Sequence, residues 1–130
     1  MSSTGSAIGA RFAREGYVAC LTRRSADKLE PAVERIRAAG GQAFGYGSDA
    51  RKEEDVVALI DQIEKERGPI EVMVFNIGAN VRTSILEETA RRYFNIWEMA
   101  CFAGFLCGRE AAKRMVERGR GTIIYTGATA

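Results

Sequence analysis

Apolar positions along the chain alternate between two periods. From Ala7 to Glu15, Ile8 and Phe12 stand four apart among arginines, which predicts a short amphipathic helix ending at Gly16. Tyr17 to Thr22 is an almost uniformly apolar run, the pattern of a strand covered on both faces. Ser25 is placed to cap the next helix and Pro31 suits its first turn. Leu29, Val33 and Ile36 repeat at helical spacing until Gly40-Gly41 stops them. Gln42 to Ser48 reads as a second strand, weakened by Gly45 and Gly47. Glu53 to Arg67 reads as a long helix with Val56, Leu59, Ile60 and Ile63 on one side, ended by Gly68-Pro69. Ile70 to Asn76 is the clearest strand of all. After a loop through Ala79-Asn80, a helix capped near Thr89 runs to about Glu117, and Thr122 to Thr126 forms the last strand.

Strands alternating with helices of this length predict parallel βαβ units with right-handed crossovers, that is, a doubly wound three-layer αβα sheet. The pattern breaks in one place: only four residues precede Gly5, so the first helix has no strand before it. In a sheet of order 3-2-1-4-5-6 the first strand is the central one. The expectation is therefore an incomplete sheet lacking its middle, within one domain spanning residues 1–130.

Charge narrows the partners only by exclusion. The 19 basic and 17 acidic residues are intermixed, with no basic face for nucleic acid and no acidic tail. Three cysteines without CxxC spacing, and no histidine, argue against a zinc site or a disulfide framework. Cys101 and Cys107 have no histidine to activate them and are expected to pack in the core. The N-terminus lacks the charged start and apolar run of a secretory signal, which makes a cytoplasmic location the expectation. Asn95 to Gly108 is shorter than the ~20 apolar residues that span a bilayer and contains Glu98, so it is expected to be a buried helix segment with no membrane role. Phe94, Trp97, Met99, Phe102, Phe105 and Leu106 make this helix apolar on more than one face. Either the fold covers it twice or it meets another subunit.

Four segments at predicted element ends can carry ligand chemistry. Ser2-Ser3-Thr4-Gly5-Ser6 leads into a helix whose free N–H groups favour an anion such as a pyrophosphate, although such a start can also be a plain flexible terminus. Thr22-Arg23-Arg24 ends a strand where an adenosine ribose would lie. An acidic residue there accepts from the 2′-OH of NAD, and an arginine pairs with the 2′-phosphate of NADP, so Arg23 favours NADP over NAD unless this is only a solvated basic turn. Ser48-Asp49-Ala50 and Phe75-Asn76-Ile77-Gly78 end the next two strands, where open α/β sheets bind ligands, or they serve as a helix cap and a turn.

In this order the glycine-containing turn, the arginine after the strand, Asp49, Asn76-Ile77-Gly78 and the Gly121-Thr-Ile-Ile strand resemble the short-chain dehydrogenase/reductase family across essentially the whole chain. The resemblance implies a Rossmann-like fold and hydride transfer between a nicotinamide and a carbonyl or secondary alcohol of a small-molecule substrate. It implies NADP or NAD held by Ser3, Thr4, Gly5, Arg23, Asp49, Ala50, Asn76, Ile77 and Gly78. Phe12-Ala-Arg-Glu-Gly16 sets the register, with Gly5 at the last glycine of the family's Thr-Gly-x-x-x-Gly-x-Gly loop and Ser3 at an earlier one. The family commonly pairs through the helix over 89–117, so a homodimer or homotetramer is implied.

Departures from the family pattern are equally specific. Only the second Asn and the Gly of Asn-Asn-Ala-Gly are present, because Phe75 and Ile77 replace the others. Ala100 stands at the catalytic Asn, Ala128 near the catalytic Ser with Thr129 the closest hydroxyl, and a Tyr-x-x-x-Lys pair would fall beyond Ala130. Tyr46, Tyr93 and Tyr125 have no lysine four residues on. No catalytic residue and no metal ligand is assigned, and the chain is expected to be an inactive fragment of such an oxidoreductase. The alternative is a non-catalytic nucleotide-binding or interaction module.

Overall fold

A computed structural model of the chain describes residues 4–77 and 82–127. Its four strands form two two-stranded parallel sheets, and the chain divides into two compact units, residues 1–49 with 61–69 and residues 50–60 with 70–130.

The first unit contains α1 (Thr4–Arg14), β1 (Val18–Arg23), a 3₁₀ turn (Ala26–Leu29), α2 (Glu30–Ala38), β2 (Gln42–Gly47) and the last turns of α3 (Glu53–Arg67). β1 and β2 pair in parallel from Val18 opposite Gln42 to Arg23 opposite Gly47. Alternate side chains of a strand face opposite ways. Ala19 and Ala43 accordingly join Ala13, Leu29, Val33 and Ile36 in a core beneath α1 and α2, with Leu21 packed against it. Burying a residue such as Val33 contributes about 1.5–3 kcal/mol. Gly9 lets α1 settle on β1, since a Cβ there would lie 2.6 Å from Leu21 Cδ2. On the opposite face the Arg67 guanidinium lies 3.4 Å above the Phe44 ring, and the Tyr46 hydroxyl donates to Glu66 Oε1 at 3.0 Å. β2 is thus covered on both faces. The start of β1 is not, because Tyr17 and Val18 are exposed.

The second unit contains the first half of α3, β3 (Val72–Phe75), α4 (Ala90–Trp97), a π-helical turn (Glu98–Phe102), α5 (Ala103–Arg118) and β4 (Thr122–Tyr125). β3 and β4 pair in parallel from Val72 opposite Thr122 to Phe75 opposite Tyr125. Val56 and Ile60 of α3 meet Leu106 of α5 in a core flanked by Ile70, Phe102 and Cys107. Glycines again set the spacing. A Cβ on Gly104 would lie 3.3 Å from the Phe75 ring, and one on Gly108 would overlap the Tyr125 hydroxyl, which donates to the Gly104 carbonyl at 3.1 Å.

These pairings are the ones an order of 3-2-1-4-5-6 gives to its second and third and its fourth and fifth strands. The α/β, parallel, Rossmann-like expectation therefore holds, with an incomplete sheet of short strands.

The long helix departs from its predicted form. Thr89 is its cap, accepting from the Arg92 amide at 3.2 Å. At Glu98–Phe102, however, the ladder switches to the wider register, with the Ala103 amide donating to the Glu98 carbonyl five residues back. The extra residue has a packing result. Trp97 and Phe102 are five apart, which on an α-helix would set them about 140° from each other. Across the π turn their rings stack at 5.8 Å, continuing a row from Phe94 through Trp97 and Phe102 to Phe105. Leu106 is buried, whereas Trp97 is 42% and Phe105 54% exposed. The Asn95–Gly108 segment is thus covered on one face only, and Cys101, expected in the core, is exposed. Among the described residues, no helix is long and apolar enough to cross a membrane.

Candidate functional site

Parallel strands place their carboxyl ends on one edge. At the edge of the β1–β2 sheet the Ser48 amide donates to the Arg23 carbonyl at 2.8 Å, which holds Arg23 and the Ser48-Asp49 turn side by side. Phe12 packs edge-on against Tyr17 at 5.2 Å and Gly9 lies on Leu21, so α1 runs back along β1 with its first turn toward the same edge. That turn contains Thr4 and Gly5 and carries no acidic side chain, so its dipole favours an anion.

Beyond Arg23 the chain enters the 3₁₀ turn. Ser25 occupies the capping position with extended backbone angles, but its hydroxyl makes no capping bond; the turn is closed by the Lys28 amide donating to the Ser25 carbonyl at 3.3 Å. The result is a cleft of about 290 Å³ lined by Arg23, Arg24, Ser25 and Lys28. None of these three cations makes an ion pair among the described residues. Three positive groups and a hydroxyl that converge on open space have the chemistry of a phosphomonoester site. The intermixed charge of the sequence conceals this local cluster: Arg23 and Arg24 stand in the segment expected at the ribose, Ser25 is expected only as a helix cap, and Lys28 carries no signal of its own.

Of the remaining candidates, Asp49 is half-buried in the first unit, while Ala50, Asn76 and Ile77 belong to the second. Asn76 and Ile77 follow β3 at its carboxyl end, where the Thr126 amide donates to the Phe75 carbonyl at 3.0 Å. Ser3, Gly78, Ala128 and Thr129 lie outside the described residues.

Several groups that could do proton or nucleophilic chemistry are otherwise engaged. The Tyr46 hydroxyl is held between Glu66 and the Arg67 Nε, each at 3.0 Å, and burial raises its pKa. Tyr125 is committed to Gly104. Burial pushes the Cys107 thiol up to about 11, so it stays protonated at neutral pH, and burial raises Cys20 as well. Among the described residues, no group of three His, Cys, Asp or Glu side chains could hold a metal ion.

Parallel βα units with an anion-favouring helix start and a cation cleft at the strand ends define the nucleotide-binding class of α/β proteins. The family model for short chain dehydrogenase matches residues 1–130, and the chain belongs to that family. It is 32% identical over 100 residues to the 2-dehydro-3-deoxy-D-gluconate 5-dehydrogenase of Formosa agariphila, covering 77% of this chain and 38% of that protein. A crystal structure of a short-chain dehydrogenase from Rhodopseudomonas palustris superposes with a TM-score of 0.88 at 44% identity, covering 94% of this chain and 57% of that one. A metagenomic short-chain oxidoreductase in complex with NADP gives a TM-score of 0.90 at 25% identity, covering 97% and 57%. The chain spans 38–50% of the length of the curated relatives it matches.

Proposed function

We propose that the chain is the cofactor-holding portion of an NADP(H)-dependent oxidoreductase that interconverts a carbonyl and a secondary alcohol on a small molecule. The observation that carries this reading is the cleft of Arg23, Arg24, Ser25 and Lys28 at the carboxyl end of β1. A 2′-phosphate brings up to two negative charges to three cations that make no ion pair among the described residues, whereas no carboxylate lines the cleft to accept from the 2′-OH of NAD. The neighbour solved with NADP supports the same cofactor class.

When bound, the nicotinamide supplies hydride chemistry. The residues of this chain would bind and orient: the family resemblance assigns Ser3, Thr4 and Gly5 to the diphosphate, Asp49 and Ala50 to the adenine, and Asn76, Ile77 and Gly78 to the same cofactor. No residue of the chain is given the proton-transfer role, because Tyr46 and Tyr125 are committed elsewhere and Ala100 replaces the amide side chain of the family pattern. The exposed row of Phe94, Trp97 and Phe105 supports association with a second copy through α4 and α5. We assign the protein to the cytoplasm.

Titration of the folded chain with NADPH and NADH, followed by calorimetry, tests the proposal. Saturable binding with NADPH tighter than NADH is expected, and a folded protein that binds neither refutes it. A second reading, a non-catalytic nucleotide-binding or interaction module, is favoured by Ala100. It predicts cofactor binding and self-association without turnover of any carbonyl offered, whatever chain is supplied to complete the fold.

A further inference from the structure

We infer that Arg37 is a strap that closes the free edge of β2, so that this edge does not add a strand from a second copy of the chain. β2 pairs with β1 on one side and, among the described residues, with no strand on the other. An open edge of this kind is a template for pairing with another chain. The Ser48 amide donates toward β1, to the Arg23 carbonyl. Peptide groups of alternate residues point to opposite edges of a strand, so those of Phe44 and Tyr46 share the side of Ser48, and those of Ala43, Gly45 and Gly47 face away from β1.

These outward rungs are unlike one another. At Ala43 the edge is shut, because the Arg37 Nε donates to the Ala43 carbonyl at 3.0 Å and Ala43 is 0% exposed. Gly45 and Gly47 are exposed, and the 3₁₀ turn lies close over both: a Cβ on Gly45 would meet Leu29 Cβ at 3.2 Å, and one on Gly47 would meet Ala26 Cβ at 3.4 Å. Lys and Pro, with which edge strands commonly blunt themselves, are absent from Gln42–Gly47. Glycine rungs are also the costliest to order. Ala43 is thus the rung on which an added strand would depend, and its guard comes from a neighbouring helix.

Arg37 leaves α2 on the face where Ala43 joins the core and reaches the Phe44 ring, which lies on the opposite face, at 5.2 Å from its centroid. The side chain therefore wraps around the edge. Glu34 of α2 holds the far end of the guanidinium at 3.4 Å, and Arg67 stacks on the other part of the clamp, the Phe44 ring, at 3.4 Å. An incoming strand would have to break the bond to Ala43 and strip water from a charged group.

The test follows a labelled peptide of residues 41–48 by fluorescence anisotropy, beside the same peptide N-methylated on alternate backbone nitrogens, with urea midpoints to confirm folding. Arg37→Met keeps the apolar stem and removes donor and charge. It is expected to bind the plain peptide about tenfold more tightly than the parent chain, the size of one charged hydrogen bond that no longer has to be broken, and to ignore the methylated one. Arg37→Lys retains a charged donor and should stay near the parent, whereas Glu34→Gln frees the far end of the strap and should gain a few-fold. A merely structural role would lower the urea midpoint without capture of the peptide. Folded Arg37→Met that takes the plain peptide no better than the parent overturns the inference, as does equal capture of both peptides, which marks apolar adhesion in place of strand pairing. Should that variant not fold, Glu34→Gln with unchanged peptide binding overturns it instead.

Discussion

In the first unit Arg23, Arg24 and Lys28 surround open space and make no ion pair among the described residues. In the second, cations are gathered onto carboxylates. Glu110, only 3% exposed on α5, receives Lys113 at 2.9 Å and Arg109 at 3.1 Å, with Arg114 at 3.6 Å, while Arg109 reaches on to Glu53 and Arg120 pairs with Glu71 at 2.8 Å. The two groups are alike in sequence, each a knot of basic residues beside a strand or on a helix. What separates them is satisfaction. A cation whose partner is already in the chain serves the fold, and one left facing water beside a helix start is available to a ligand.

The strongest way to break the comparison is to unfold one side of it. Leu106→Ala removes the centre of the Val56–Ile60–Leu106 core and should lower stability by about 2–5 kcal/mol, read from the urea midpoint. A change below about 1 kcal/mol would mean that this core is not close-packed.

Arg23→Ala should leave that midpoint in place, since the side chain has no partner to lose. It should weaken NADPH binding about 10- to 100-fold, corresponding to about 1.5–3 kcal/mol for a lost charged contact. Loss of stability without loss of NADPH affinity would reverse the assignment of roles.

Glu110→Gln is the mirror experiment. It should reduce stability by about 1 kcal/mol, a modest figure because water reaches Arg109 and Lys113, and leave NADPH binding alone. Its pH dependence follows from the cations beside it. Lys113, then Arg109, hold the Glu110 carboxyl below its ordinary range against the opposing effect of burial. The stabilisation is therefore present at neutral pH and disappears as pH falls through that lowered value, when the folded protein must take up the proton. The parent should lose stability on acidification more steeply than Glu110→Gln; parallel pH profiles would contradict the role given to Glu110. Smallest of all, Arg11→Ala breaks an exposed pair with Glu15 and should shift stability by less than about 0.5 kcal/mol.

What could be read from sequence follows the range of the interactions involved. α3 spans Glu53–Arg67 as its apolar spacing and Gly68 imply, and Thr89 caps α4, because periodicity and capping are local. The π turn carries no mark of its own. Glu98 to Phe102 contains neither Gly nor Pro, and every residue in it is acceptable to an α-helix, so the change of register appears only when the rings of Trp97 and Phe102 have to align. Arg23 was found through its place after a strand. Arg24 shares that segment, but Ser25 and Lys28 carry no such signal, because their approach to it depends on a tight turn seated across β2. The available signal was Gly45 and Gly47, taken as flaws in the strand when paired glycines in a strand also mark close approach of another backbone. The burial expected for Asn95–Gly108 failed on half its surface for a related reason, since hydrophobicity states that a face wants cover and says nothing of which chain provides it.

The wide turn at Glu98–Phe102 works as a phase shifter. Winding the same residues as a regular α-helix would keep the amides bonded, yet rotate all that follows by about 100°. Leu106 would swing off Val56 and Ile60, and Gly104 would no longer face Phe75 and Tyr125, so the molecule would keep its helix and lose its assembly. A single inserted amino acid thus couples an outward-facing ring stack to an inward-facing notch, and neither can drift along the sequence without the other.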